Sequence, residues 1–205
     1  MTNEFWDKRY SEENFAYGTE PNSYFKQNID ELKPGKLLLP GEGQGRNAVY
    51  AAKSGWKVTA IDLSLAAKQR ALKFAEENNV VIEYYVSSLE KYNFPENEYD
   101  AAALVFTHFP TETRNKIHGS IIKSLKPGGI LIIEAFSKKQ IDNTSGGPKV
   151  LPMLYTIDGL LSDFKGTEIL ESYETQTNLD EGLYHRGKAD VIRMVVKKTD
   201  KEQHH

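Results

Sequence analysis

Cysteine is absent from all 205 residues. Without it the chain can form no disulfide, no thiolate nucleophile and no cysteine zinc site, and no metal centre is expected. An excess of one charge is also missing. Twenty-six Lys and Arg stand against 29 Asp and Glu, a formal net charge of −3, with both signs mixed along the chain. No basic field follows from that balance, so nucleic acid is not an expected partner. No apolar run approaches the ~20 residues of a membrane span, and no membrane association is expected. The opening Met1-Thr2-Asn3-Glu4-Phe5-Trp6-Asp7-Lys8 lacks the apolar core of a signal peptide. These absences together lead us to expect a cytoplasmic protein. The length favours one domain over residues 1–205 with a substantial core, and no internal repeat is visible.

What is present is organised around Leu37-Leu38-Leu39-Pro40-Gly41-Glu42-Gly43-Gln44-Gly45-Arg46-Asn47. An apolar run enters a turn with glycine at every second position, and helix-compatible residues follow to Lys53. Glycine serves where the backbone takes φ > 0 or lies against a ligand, and the helix start beyond it offers free N–H groups to an anion. The third glycine, Gly45, comes one residue too early for G-x-G-x-x-G, with Arg46 in the expected slot. The turn therefore fits a pyrophosphate poorly and suits a smaller ligand with one carboxylate. Some twenty residues on, Trp56 to Asp62 reads as a second strand ending in an acid. That carboxylate can accept from both hydroxyls of a ribose, or cap the next helix, a task for which Ser64 is also placed.

The glycine turn and Asp62 together resemble motifs of the Rossmann-like S-adenosylmethionine-dependent methyltransferases. The resemblance implies S-adenosylmethionine as cofactor, its methionine end on Gly41, Gly43 and Gly45 and its ribose on Asp62. It extends the cofactor set to Glu42, Arg46, Leu63, Ser88, Leu89 and Phe106. Relatives often carry an acid where this chain has Pro40, and an adenine-binding aspartate where it has Ser87-Ser88.

Residues 1–35 lie outside the sheet in this reading. Phe5, Trp6, Tyr10, Phe15 and Tyr17 cluster, Tyr17 to Asn22 reads as a turn, and Ser23 to Leu32 as a short helix. The segment is a cap on the core, a lid over cofactor and substrate, or both. Family members that open W-D-x-R-Y and then Y-G-x-x-P-N cover their active site with it, which makes Tyr17 a candidate substrate contact.

Strands are expected at 36–39, 56–62, 81–86, 100–106 and 130–134. Helices are expected at 47–53, 64–78 and 111–124, the last capped by Thr111. Residues 138–153 read as a mobile loop, 156–164 as a helix, and 167–175 with 188–197 as an antiparallel pair joined by 176–187. The tail from Lys198 should fray. The fold class is thus α/β, a Rossmann-like three-layer sandwich. Its seven-stranded sheet is mostly parallel, with the last strand antiparallel. The core covers residues 36–197 and the tail 198–205.

The strand next to the first ends in Phe106-Thr107-His108, so Thr107 and His108 are candidates to line the transfer site. His185, Arg186 and Arg193 form a closing stretch. With the opening motif and the glycine turn, it resembles the tellurite-resistance methyltransferases, a branch near the thiopurine methyltransferases. The resemblance implies a catalytic role for these three residues, two guanidiniums and an imidazole suiting an oxyanion such as tellurite or selenite. The arginines can instead pair with Asp180, Glu181 or Asp190. The expected reaction is methyl transfer to a small-molecule acceptor, an oxyanion or else a thiol, amine or carboxylate chosen by the N-terminal aromatics. A non-catalytic module that only binds the cofactor stays open beside it. So does the oligomeric state, monomer or homodimer.

Overall fold

The computed structural model describes residues 2–199. Two short helices come first, α1 (Asn3–Tyr10) and α2 (Ser23–Ile29), and both are capped by side chains. Thr2 accepts from the Phe5 N–H and Asn22 from the Phe25 N–H at 2.8 Å, each satisfying an orphan donor of the first turn. The alternating region follows: β1 (Lys36–Pro40), α3 (Arg46–Lys53), β2 (Lys57–Asp62), α4 (Leu65–Glu77), β3 (Glu83–Val86), β4 (Tyr99–Val105), α5 (Thr111–Ser124) and β5 (Leu125–Phe136). Two 3-10 turns, Lys138–Asp142 and Leu151–Met153, lead to α6 (Ile157–Asp163), β6 (Glu168–Asp180) and β7 (Arg186–Lys197).

The seven strands run in the order β3-β2-β1-β4-β5-β7-β6. All pairings are parallel except those of β7, which is antiparallel to both β5 and β6. Strand side chains alternate between faces, and the apolar runs of β1 and β4 therefore feed two cores. Leu37 and Leu39 pack with Tyr24, Phe25 and Trp56 on one side. Leu38 and Leu104 pack with Ile117, Leu160 and Phe164 on the other. That is the three-layer arrangement expected from the sequence. The strand order reverses between β1 and β4, and ligands of open α/β sheets bind beyond the carboxyl ends at such a point.

Four expectations are corrected. The long connection at 176–187 is mostly strand: Gln176 to Asp180 pair with Arg186 to Asp190 and leave only residues 181–185 as a turn. Their polar side chains read as loop, yet the edge position of β6 lets polar residues keep a ladder. The segment 138–153 is stitched to β7 rather than loose. The buried Gln140 Oε1 accepts from the Asp190 N–H at 2.9 Å, and Ser145 Oγ donates to the Lys188 carbonyl at 2.6 Å. Thr111 does not cap α5: Pro110 stands at the cap with no side-chain bond, and Thr111 is the first helical residue. Lys198 is anchored, its Nζ donating to the carbonyls of Leu125 at 2.6 Å and Lys123 at 3.0 Å. The rest of the expected tail, from residue 200 on, lies outside the described residues.

Candidate active site

A cavity of about 570 Å³ opens at the reversal point. That volume lies within the range that holds small ligands and cofactors. One end is built by the glycine turn. Gly41, Gly43 and Gly45 all take positive φ (73°, 66° and 91°). At Gly43 the requirement is doubled, since a Cβ would also stand 2.8 Å from Tyr10 Oη. Its N–H donates to Asp62 Oδ2 at 2.9 Å and its carbonyl accepts from the Tyr84 hydroxyl at 2.6 Å. Asp62 Oδ1 accepts from the Ser64 N–H at 3.0 Å, while Ser64 Oγ caps α4 by accepting from Ala67 at 3.1 Å. Ser64 thus takes the capping task, and the Asp62 carboxylate lines the cavity. Burial raises Asp62 to about 6, against the backbone N–H groups that lower it. Glu42 also lines the cavity, accepts from the Ala48 N–H at 2.8 Å, and is raised by burial to about 7. At both carboxylates burial outweighs what lowers them, backbone N–H groups at each and the Arg46 charge at Glu42.

Leu63, Ser88 and Leu89 form the adjoining wall. The Ser88 hydroxyl is buried and has no hydrogen-bond partner among the described residues. A buried polar atom without a partner is costly, and this one lies on a residue of the cavity wall. Gly43 and Gly45 do not line the cavity. The first holds Asp62; the second packs against α4, where a Cβ would stand 2.8 Å from that of Ala71. Arg46 does line it, but its guanidinium donates to Glu181 Oε2 at 3.0 Å and to the Tyr17 carbonyl at 3.1 Å.

The other end is aromatic. Phe106, held at φ 52°, stacks on Phe136 at 4.4 Å and meets the His185 ring edge-on at 4.6 Å. Tyr17 lies 4.4 Å from the same imidazole. Trp6 and Tyr10 of α1, stacked at 5.4 Å, close the cavity from above. Arg9 lies with them, its guanidinium 3.9 Å from the Tyr184 ring and 3.1 Å from the Tyr17 hydroxyl. Phe5, Trp6, Arg9, Tyr10, Phe136 and Met153 were not singled out as site residues from sequence. The W-D-x-R-Y opening was the available signal for three of them, Trp6, Arg9 and Tyr10.

Thr107 and His108 both reach the cavity. Thr107 Oγ1 donates to the Pro40 carbonyl at 3.3 Å, tying the end of β4 to the glycine turn. His108 is fully engaged. Its Nε2 accepts from the Phe136 N–H at 3.1 Å, so Nδ1 must carry the proton that it donates to the Met153 carbonyl at 2.7 Å. Burial lowers it to about 4. Neither nitrogen is left for an acceptor, and His108 is a scaffold rather than a base.

The expected trio does not assemble. His185 lines the cavity. Arg186 is exposed on the hairpin, its Nε 3.4 Å from Asp180 Oδ1. Arg193 pairs with the buried Glu134 at 2.7 Å and lies 5.0 Å from the Tyr24 ring centroid. Glu134 also accepts from Asn22 Nδ2 at 2.5 Å. Neither arginine lines the cavity, and each pairs with a carboxylate of its own sheet.

The geometry defines a class, and the comparisons bear on it. Residues 38–129 match a family described as a methyltransferase domain. A protein solved in work on the conversion of a disulfide bond into a thioacetal group during echinomycin biosynthesis shares the fold. Its TM-score is 0.80 at 16% identity, over 99% of this chain and 94% of that one. TehB from Haemophilus influenzae gives 0.73 at 22% identity, over 96% of this chain and 67% of that one. At these identities the likeness is one of fold. Among curated relatives, the ubiquinone biosynthesis O-methyltransferase of Rickettsia bellii is 27% identical over 113 residues, 55% of this chain and 47% of that protein. Phosphoethanolamine N-methyltransferase 1 of Zea mays is 30% identical over 123 residues, 59% and 24% respectively. The chain spans about half, or less, of the length of these curated relatives. No helix of the described residues is long and apolar enough to cross a membrane.

Proposed function

We propose that this chain is an S-adenosylmethionine-dependent methyltransferase acting on a small neutral acceptor that carries a thiol or hydroxyl. One observation carries the reading: a single cavity joins the Asp62 carboxylate to an aromatic chamber that contains His185. Asp62 would take the ribose hydroxyls, the Ser88 hydroxyl the adenine edge, and Gly41 with Glu42 the methionine end. Both the buried unpartnered Ser88 hydroxyl and the raised carboxylates fit such a ligand. When bound, S-adenosylmethionine supplies an electrophilic methyl on a sulfonium whose sulfur leaves with the bonding pair. The chain's own residues orient, exclude water and move a proton. Orientation alone can supply roughly 7–11 kcal/mol. Residues 2–35 serve as the cap: Trp6 and Tyr10 shield the cavity and Tyr17 packs on His185. A thiol or hydroxyl needs a base, and His185 is the imidazole in the chamber not tied up at both nitrogens by backbone groups.

The commitment of Arg186 and Arg193 to Asp180 and Glu134 favours a neutral acceptor over an oxyanion. The test is calorimetry of S-adenosylhomocysteine with wild type and Asp62→Ala, followed by turnover on thiols, phenols, tellurite and selenite. Micromolar binding weakened tenfold or more by the substitution, about 1.4 kcal/mol, with turnover on a thiol or phenol is expected. No binding by wild type overturns the reading, and turnover on oxyanions alone overturns the acceptor class.

A further inference from the structure

The turn between β6 and β7 closes on itself: the Glu181 N–H donates to the His185 carbonyl at 2.8 Å. The two side chains are thereby brought together. Glu181 Oε2 lies 3.4 Å from His185 Nδ1 and 3.0 Å from Arg46 Nη2, and Oε1 accepts from Asn22 Nδ2 at 2.9 Å. The carboxylate is thus gripped by the turn, by α3 and by the residue that caps α2. Gly182 lets the turn lie against the backbone of residues 16–18, since a Cβ there would stand 2.5 Å from the Gly18 nitrogen. Burial alone would raise Glu181. The His185 hydrogen bond and the Arg46 charge outweigh it and hold the carboxyl at about 2. An ionised carboxylate only accepts, so the nitrogen facing it must donate. Burial lowers His185, more than Glu181 raises it. Its resting form is therefore a neutral imidazole with the proton on Nδ1 and a lone pair on Nε2. Nε2 has no hydrogen-bond partner among the described residues, in contrast to His108.

Building on the methyltransferase reading, we infer that Glu181 is a positioning residue: it fixes His185 as the Nδ1–H tautomer and steadies the imidazolium formed when Nε2 takes the acceptor's proton. In that step the acceptor's X–H bond breaks, an N–H bond forms at Nε2, and X keeps the electron pair for the methyl carbon. The proton later leaves Nε2 for water. Arg46 neutralises Glu181 in the resting state and so keeps the carboxylate from drawing the Nδ1 proton across. This is the logic of a base oriented by a third group.

The charged and titratable groups around His185 are Glu181 of its own turn, Arg46 of α3, Arg9 of α1 and His108 beyond β4, with the Tyr17 ring against it. The experiment reads the imidazole nitrogens of His185 by ¹⁵N long-range NMR in cofactor-free wild type and Glu181→Gln. It also reads the pH profile of kcat and the acceptor KM. Expected is an Nδ1–H tautomer in wild type that becomes mixed in Glu181→Gln. The imidazole pKa and the acid limb of kcat should move down together, because an anion has been removed. The kcat should fall at least about tenfold while KM and S-adenosylhomocysteine affinity stay within about twofold. Glu181→Asp, which keeps the anion, should restore the tautomer. An Nε2–H tautomer in wild type, or a kcat and acid limb indifferent to Glu181→Gln, overturns the inference. The wild-type tautomer decides it even where Glu181→Gln does not fold. Failure of wild type to bind S-adenosylhomocysteine sinks the methyltransferase reading instead, and is read separately by calorimetry.

Discussion

Acidification is the perturbation that most directly probes the proposed ribose contact. Asp62 is only 7% exposed, and burial raises its carboxyl from 3.8 to about 6. Its two oxygens already accept from Gly43 and Ser64. Only the ionised form has lone pairs enough to accept from two ribose hydroxyls as well. Binding therefore selects the ionised form and releases a proton wherever the free protein holds one. At pH 5 roughly 9% of the free protein carries ionised Asp62, so S-adenosylhomocysteine should bind about tenfold more weakly than at pH 7, about 1.4 kcal/mol. Glu42, raised to about 7, titrates nearby, and the measurement is made in a Glu42→Gln background. Calorimetry in two buffers of different ionisation enthalpy should count about 0.9 protons released at pH 5 and about 0.1 at pH 7. Asp62→Asn should abolish the release. A proton count near zero at pH 5, or an affinity indifferent to pH, refutes the assignment. Stability follows with a definite sign. Between 3.8 and about 6 the folded chain holds this proton more tightly than the unfolded one. The ligand-free protein should therefore lose stability as pH rises through that window, by up to about 3 kcal/mol.

Further outcomes follow from the same contacts. His185→Ala should lower kcat by about 10²–10⁴ while S-adenosylhomocysteine affinity, measured by calorimetry, stays within a few fold. Arg193→Ala strands Glu134, whose side chain is 1% exposed. A loss of about 3–5 kcal/mol should lower the calorimetric Tm by about 6–20 °C, and adding Glu134→Gln should recover part of it. Arg186→Ala, on an exposed pair, should leave turnover within about twofold and Tm nearly unchanged. Gly43→Ala, forced to φ 66° and into Tyr10 Oη, should weaken S-adenosylhomocysteine at least about tenfold by displacing α1 from the glycine turn.

How far the sequence could be read depends on whether a feature is local. Leu37 to Leu39 is a strand because an apolar triplet between a lysine and a proline-glycine turn has few other uses, and each residue proves buried. The glycine spacing and the acid at 62 are likewise written within 26 residues, and they meet at the Gly43–Asp62 hydrogen bond. Edge strands are harder. Gln176 to Asp180 carry the composition of a loop, and only the ladder to Arg186–Asp190 makes them strand. Charge is harder still, because a sequence displays a guanidinium but not its counter-ion. Arg193 suits an anion or a carboxylate of its own hairpin, yet its partner Glu134 stands 59 residues earlier, on the neighbouring strand β5. Arg46, read as a cofactor contact, pairs with Glu181 from 135 residues away. The pairing runs both ways: the carboxylate that occupies Arg46 is the one that faces His185. The cavity engages its own lining cations, Arg46 with Glu181, Arg9 with the Tyr184 ring and the Tyr17 hydroxyl, and Lys149 with the Ile141 and Asn143 carbonyls, which leaves aromatic faces and the His185 lone pair toward an acceptor. It should therefore be selective for what enters neutral and leaves a proton behind.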